Sequence, residues 1–204
     1  MSTRPLHDSS LSSHGDYLAL GDSMSIDKYT GVQGGGAVSQ FHRRLGPNWE
    51  LVDRTFDGCT MNEIPLDAKG NLITLTVSGN DAILHMDRVE TEGVSFLIKR
   101  HQELLQSIRQ MNPNACLIVG NVYAPQFPLS PELTSLLDQL NDGIARNVQG
   151  VGAFLADIRG AFAGREDEHL CLEIEPTLSG AGAIAELFAA CFECWRSPQR
   201  LSNA

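Results

Sequence analysis

The chain has 204 residues, 42% of them apolar, which is enough for one sizeable core, so a single domain is expected. Its net charge of −10 argues against nucleic acid as a partner, because phosphate-backbone binding needs a basic face. No run of about 18 apolar residues occurs, so no membrane span is expected.

Residues 1–16 are polar and aperiodic, and are expected to form a mobile N-terminal arm ahead of one domain over residues 17–204. The arm has no apolar stretch of the kind a secretory leader carries, which favours a cytoplasmic location. Tyr17 to Leu20 then forms a short apolar run that ends in Gly21-Asp22-Ser23, reading as a buried strand that delivers a serine to the loop at its carboxyl end. Open α/β sheets bind ligands at the carboxyl ends of their strands, so Ser23 is well sited to be a nucleophile. Asp22 and Ser23 read equally well as caps of a following helix.

A glycine-rich loop, Tyr29 to Gly36, comes next, without the spacing of a dinucleotide or P-loop fingerprint. Ala37 to Leu45 reads as a helix and Trp49 to Arg54 as a second strand, ending in the turn Phe56-Asp57-Gly58-Cys59-Thr60. Asn71 to Ser78 is β-branched and apolar, the clearest strand, and ends in the polar turn Gly79-Asn80-Asp81. Gly93 to Met111 is an amphipathic helix stopped by Asn112-Pro113. Ala115 to Val122 is another strand, and Pro131 to Asn147 a helix with Ser130 as its cap. Gly152 to Ala156 is a short strand and Thr177 to Trp195 the last helix. Phe41, Phe56 and Phe96 read as core.

Strands alternate with helices throughout, which implies a parallel sheet covered on both faces. The expected fold class is α/β: a three-layer α/β/α sandwich, flavodoxin-like, with about five parallel strands. The five cysteines (Cys59, Cys116, Cys171, Cys191, Cys194) are scattered, mostly in apolar surroundings, and read as buried free thiols; Cys191-x-x-Cys194 lacks the second pair that a zinc site needs. Asp27, Asp57, Asp81 and Glu175 could gather around a hard cation, but scattered acids in an acidic chain are ordinarily surface. No cofactor and no metal are expected.

Gly-Asp-Ser at 21–23, Gly-x-Thr at 58–60 and Gly-Asn-Asp at 79–81, each after a strand, resemble the signatures of the SGNH (GDSL-type) hydrolases. The resemblance implies an esterase or acyl-hydrolase in which Ser23 attacks an acyl carbonyl and forms an acyl-enzyme. It implies an oxyanion hole made by the backbone N–H groups of Ser23 and Gly58 and the side-chain amide of Asn80, donors worth roughly 3 to 4 kcal/mol each. Thr60 and Asp81 are expected to brace their turns. The implied partner is a small-molecule ester, small or soluble rather than bulk lipid, since no long apolar helix forms a lid.

The family's fourth signature, Asp-x-x-His-Pro, is not matched. Glu175 stands at the histidine position before Pro176, and Leu172 at the aspartate position. An ordinary Glu is about 3 kcal/mol worse than His as a base near neutrality. Burial would raise a Glu pKa and restore basicity. Three readings stay open: Glu175 is the base of a Ser–Glu pair; His169 or His85 folds inward to replace it; or the fold binds a small acyl or glycosyl ligand without hydrolysing it.

Overall fold

The computed structural model describes residues 14–197. Five strands, β1 (Gly15–Gly21), β2 (Trp49–Thr55), β3 (Leu72–Thr76), β4 (Cys116–Gly120) and β5 (Phe154–Ala156), make one parallel sheet in the order β2-β1-β3-β4-β5. The helices are α1 (Ala37–Leu45), α2 (Gly79–Leu84), α3 (Met86–Glu92), α4 (Ser95–Met111), α5 (Pro131–Gly150), α6 (Ile158–Phe162), α7 (Glu166–His169) and α8 (Leu178–Arg196). A short antiparallel hairpin, β6 (Leu170–Cys171) with β7 (Glu175–Pro176), precedes α8.

The layers follow from the alternation within β1. Tyr17 and Ala19 face one core, with Phe41 of α1 and Phe188 and Phe192 of α8. Leu18 and Leu20 face the other, with Leu97 and Leu105 of α4 and Leu140 and Ile144 of α5. All four strand residues are essentially unexposed, as expected of a parallel strand covered on both faces. Burial of Leu18 and Leu20 contributes about 1.5–3 kcal/mol each. The three-layer α/β/α sandwich expected from the sequence is therefore present.

Local chemistry sets the helix ends. The Ser130 hydroxyl accepts the Leu133 N–H at 3.2 Å, with Pro131 in the first turn of α5. Thr177 accepts the Gly180 N–H at 3.1 Å to start α8. Gly180 itself is obligatory, because a Cβ there would lie 2.1 Å from the His169 carbonyl oxygen. Among the described residues, α8 is the one helix whose length and composition would suit a membrane span; its apolar side is spent inside the fold, where Ile184, Ala185, Phe188 and Phe192 are buried.

Three expectations are corrected. Of the expected arm, only His14, Gly15 and Asp16 fall among the described residues, and the last two already belong to β1. Gly79-Asn80-Asp81, read as a polar turn, is the first turn of α2, and α3 follows it. Phe56, read as core, is 41% exposed in the turn that follows β2, the edge strand of the sheet.

The strand order reverses direction between β1 and β3, since β1 is followed by β2 on one side and β3 lies on the other. That switch point leaves a crevice at the carboxyl ends of the strands, where ligands bind in open α/β sheets. Ser23 follows β1 and Asn80 follows β3, so the two flank it.

Candidate active site

A tight turn presents Ser23. The Asp22 N–H donates to the Thr76 carbonyl at 3.0 Å, tying the end of β1 to the end of β3. The Ser25 N–H donates back to the Asp22 carbonyl at 3.1 Å, and the Met24 N–H to Asp22 Oδ1 at 3.2 Å. Gly21 makes this possible: its φ is +135°, and a Cβ would lie 2.2 Å from the Thr76 carbonyl oxygen. Asp22, Met24 and Ser25 are buried while Ser23 stays partly exposed, so the turn offers one hydroxyl to the crevice. Among the described residues, no acceptor takes the Ser23 backbone N–H.

The second and third turns are stapled together. Asn80 Nδ2 donates to the Cys59 carbonyl at 3.1 Å, and the Asp81 carboxylate accepts the Met61 N–H at 3.1 and 3.3 Å. Thr60 and Glu63 close the same loop with a reciprocal cap. Asp81 and Thr60 thus brace, as expected from the sequence. The Phe56 N–H donates to the Gly21 carbonyl at 3.0 Å, anchoring the 56–60 turn to the strand that carries Ser23. Gly58 sits in that turn with φ +77° and, among the described residues, its N–H has no acceptor. Gly58 is exposed at the turn and does not line the cavity described below, whereas Ser23 and Asn80 both do. One N–H of the Asn80 amide is engaged with Cys59, which fixes the direction of the other.

Glu175 opens β7 and is only 8% exposed. Burial pushes its carboxyl above the usual range. The Ser23 hydroxyl, which faces it short of a well-formed hydrogen bond, pulls the other way, with smaller opposed influences from Asp57 and Lys28. Its Oε2 is buried and, among the described residues, has no partner. Asp22 is 2% exposed, and its carboxyl is pushed up to about 8, chiefly by burial, eased by the Met24 N–H and the Thr76 hydroxyl, and raised again by Glu175. Asp22 is therefore mostly neutral at pH 7. Tyr123, buried on the same side, donates its hydroxyl to the Ile174 carbonyl at 2.5 Å.

The two histidines raised as substitutes sit elsewhere. His169 is 1% exposed, tilted against the Phe162 ring at 4.9 Å, with Nδ1 3.3 Å from the Ser179 hydroxyl. His85 joins α2 to α3 and packs edge-on against Phe96 at 5.9 Å. Neither lines the cavity with Ser23. The four acids do not gather either: Asp27 accepts the Gly34 and Gly36 N–H groups, Asp57 pairs with Lys28 and Tyr29, and Asp81 holds Met61. Among the described residues, no three His, Cys, Asp or Glu side chains stand close enough to hold a metal ion, the Cys191–Cys194 pair included.

An apolar cavity of about 180 Å³ opens beside Ser23 and Asn80. Its walls come from α5 (Leu133, Leu137, Leu140) and from α3 and the turn after it (Met86, Val89, Val94). The sequence reading missed it. The leucines of α5 recur at helical spacing, and periodicity alone assigns them to the core without separating a packed face from the wall of a cleft.

The GDSL-like Lipase/Acylhydrolase family model matches residues 19–180, and the chain belongs to that family. Its fold is similar to that of phospholipase A1 from Streptomyces albidoflavus (TM-score 0.71, 20% identity, covering 87% of this chain and 99% of that one). It is also similar to a lipase from a goat rumen metagenome (TM-score 0.69, 23% identity, 86% and 96% covered). An acetyl xylan esterase from Geobacillus stearothermophilus shares the architecture as well (TM-score 0.65, 15% identity, 86% and 93% covered). No curated protein sequence matches significantly. Membership supports an ester hydrolase as the general class.

Proposed function

We propose that this chain hydrolyses carboxylic esters through an acyl-enzyme on Ser23, with Glu175 as the general base and an apolar acyl chain held in the cavity beside them. The observation that carries the reading is the convergence on Ser23: a buried carboxylate lies beside its hydroxyl, and an apolar cavity opens from its turn. In this reading Glu175 takes the Ser23 proton as the hydroxyl attacks the acyl carbon. The Ser23 and Gly58 N–H groups and the Asn80 amide receive the developing oxyanion. Glu175, now protonated, returns the proton to the leaving alkoxide, and then activates the water that releases the acid.

Burial serves the chemistry in two ways. It lifts Glu175 toward the working pH, where a general base is most effective. It also keeps Asp22 protonated, so a second negative charge does not oppose the oxyanion. The cavity favours a longer apolar acyl group than the small ester expected from the sequence, since acetate would leave most of its walls without contact.

The test is a series of p-nitrophenyl esters from acetate to dodecanoate, run with the wild type, Ser23→Ala and Glu175→Gln. The reading expects kcat/KM to rise from acetate to a medium chain and to be lost in Ser23→Ala. A protein that only binds an acyl or glycosyl ligand would show no turnover above the Ser23→Ala background with any ester.

A further inference from the structure

The hairpin that carries Glu175 is built on an awkward turn. Leu172 and Glu173 link β6 to β7 through Ile174 and have φ of +48° and +74°. Consecutive positive-φ positions in hairpin turns are ordinarily filled by Asn or Gly, because a Cβ is disfavoured there. Neither residue gains from burial: Leu172 is 72% exposed and Glu173 is exposed too. The turn therefore needs support from outside the hairpin if Glu175 is to hold one direction.

That support comes from Gln126. Its backbone N–H donates to the Glu173 carbonyl at 2.8 Å, its side-chain Oε1 accepts the Glu173 N–H at 3.2 Å, and its Nε2 donates to the Leu170 carbonyl at 3.0 Å. One residue thus grips the hairpin just ahead of the strained turn and at the turn itself. Tyr123, three positions earlier in the same loop, donates to the carbonyl of Ile174, the residue before Glu175. We infer that Gln126 is a positioning residue for the reaction: it clamps the Leu172–Glu173 turn and thereby holds the Glu175 carboxylate toward Ser23. This inference rests on Glu175 being the base. Gln126 does not line the apolar cavity, so its part is to aim the base and not to bind the acyl chain.

The test is steady-state hydrolysis of p-nitrophenyl butyrate by the full chain. Gln126→Ala is expected to lower kcat at least about tenfold while leaving KM within about twofold, since a misaimed base costs rate and leaves the cavity intact. Adding Glu173→Gly to Gln126→Ala relieves the turn and is expected to restore about threefold or more of the lost kcat. Should the alanine variant fail to fold, Gln126→Glu keeps the acceptor for the Glu173 N–H and loses the donor to Leu170; kcat must again fall with KM held. Wild-type kcat in Gln126→Ala, a loss carried in KM, or no recovery with glycine would overturn the inference. Glu175→Gln is run beside them. Full activity in that variant removes the base assignment and this inference with it, whereas loss in Glu175→Gln with wild-type kcat in Gln126→Ala removes only the role of Gln126.

Discussion

The Ser23 hydroxyl, at the carboxyl end of the first strand, faces the Glu175 carboxylate, which arrives from the last hairpin before α8. The pairing depends on two exact fits of backbone to backbone: Gly21 against Thr76, and Gly180 against His169. The first seats the serine turn between β1 and β3, and the second seats α8 against the segment that leads into the hairpin.

Gly21→Ala tests the first fit. The new methyl would meet the Thr76 carbonyl oxygen at 2.2 Å, at a φ that side chains rarely adopt. The expected result is a loss of about 3 kcal/mol or more of stability, read by chemical denaturation, or failure to fold. A variant as stable as the wild type would mean that the β1 and β3 ends are free to separate.

Asp22 predicts how stability changes with pH. Its carboxyl is raised on folding, from an ordinary value of 3.8 to about 8, so the folded chain binds the proton more tightly than the unfolded chain. The sign follows: this contribution is fully present below the unfolded value and is lost as pH rises through about 8. Between those limits the group removes up to about 1.4 kcal/mol of stability per pH unit. Asp22→Asn keeps an oxygen for the Met24 N–H and cannot ionise. Denaturation midpoints of this variant between pH 5 and 8 are expected to lose that downward slope and to exceed the wild type at pH 8.

The cavity walls predict chain-length selectivity. Leu137 lines the cavity from α5 and is half-buried. Leu137→Trp fills space that the acyl chain would use. Octanoate hydrolysis is expected to fall about tenfold or more, with acetate hydrolysis within about twofold of the wild type. Equal losses on both esters would show that the change disturbs the Ser23 turn and not an acyl subsite.

Much of this architecture was legible in the sequence. The buried run Tyr17–Leu20, the β-branched run before Ser78 and the capped helix from Pro131 carry strong periodic and punctuation signals, and each forms where it was expected. Three motifs at strand ends sufficed to bring Ser23 and Asn80 to one crevice, because a parallel sheet puts all its carboxyl ends on one edge. Other features had no local signal. Residues 79–92 are short helices whose apolar positions are few, so tertiary contact and not periodicity defines them. The burial of Asp22 and of Glu175 is set by elements far away in the chain, and their carboxyl pKa values follow from that burial. Gln126 carries no motif at all; its role emerges only when the positive-φ turn it grips is seen.

The most direct test of the Ser23–Glu175 pairing is the rate of covalent labelling by a fluorophosphonate, followed by intact mass from pH 5 to 9 in the wild type and in Glu175→Gln. The probe reports serine activation without needing the right acyl group. The groups that bear on Glu175 are Ser23, Asp57 and Lys28, while Asp22, Tyr29, Tyr123 and Cys171 feel its charge. The base acts when deprotonated, so the rate should rise with pH through a midpoint above the ordinary Glu range, in the direction of the raised carboxyl. The account predicts one label on Ser23 in the wild type, and labelling slower by about 10²-fold or more, without that midpoint, in Glu175→Gln. Equal labelling of the two proteins, or none on Ser23 in the wild type, would contradict it.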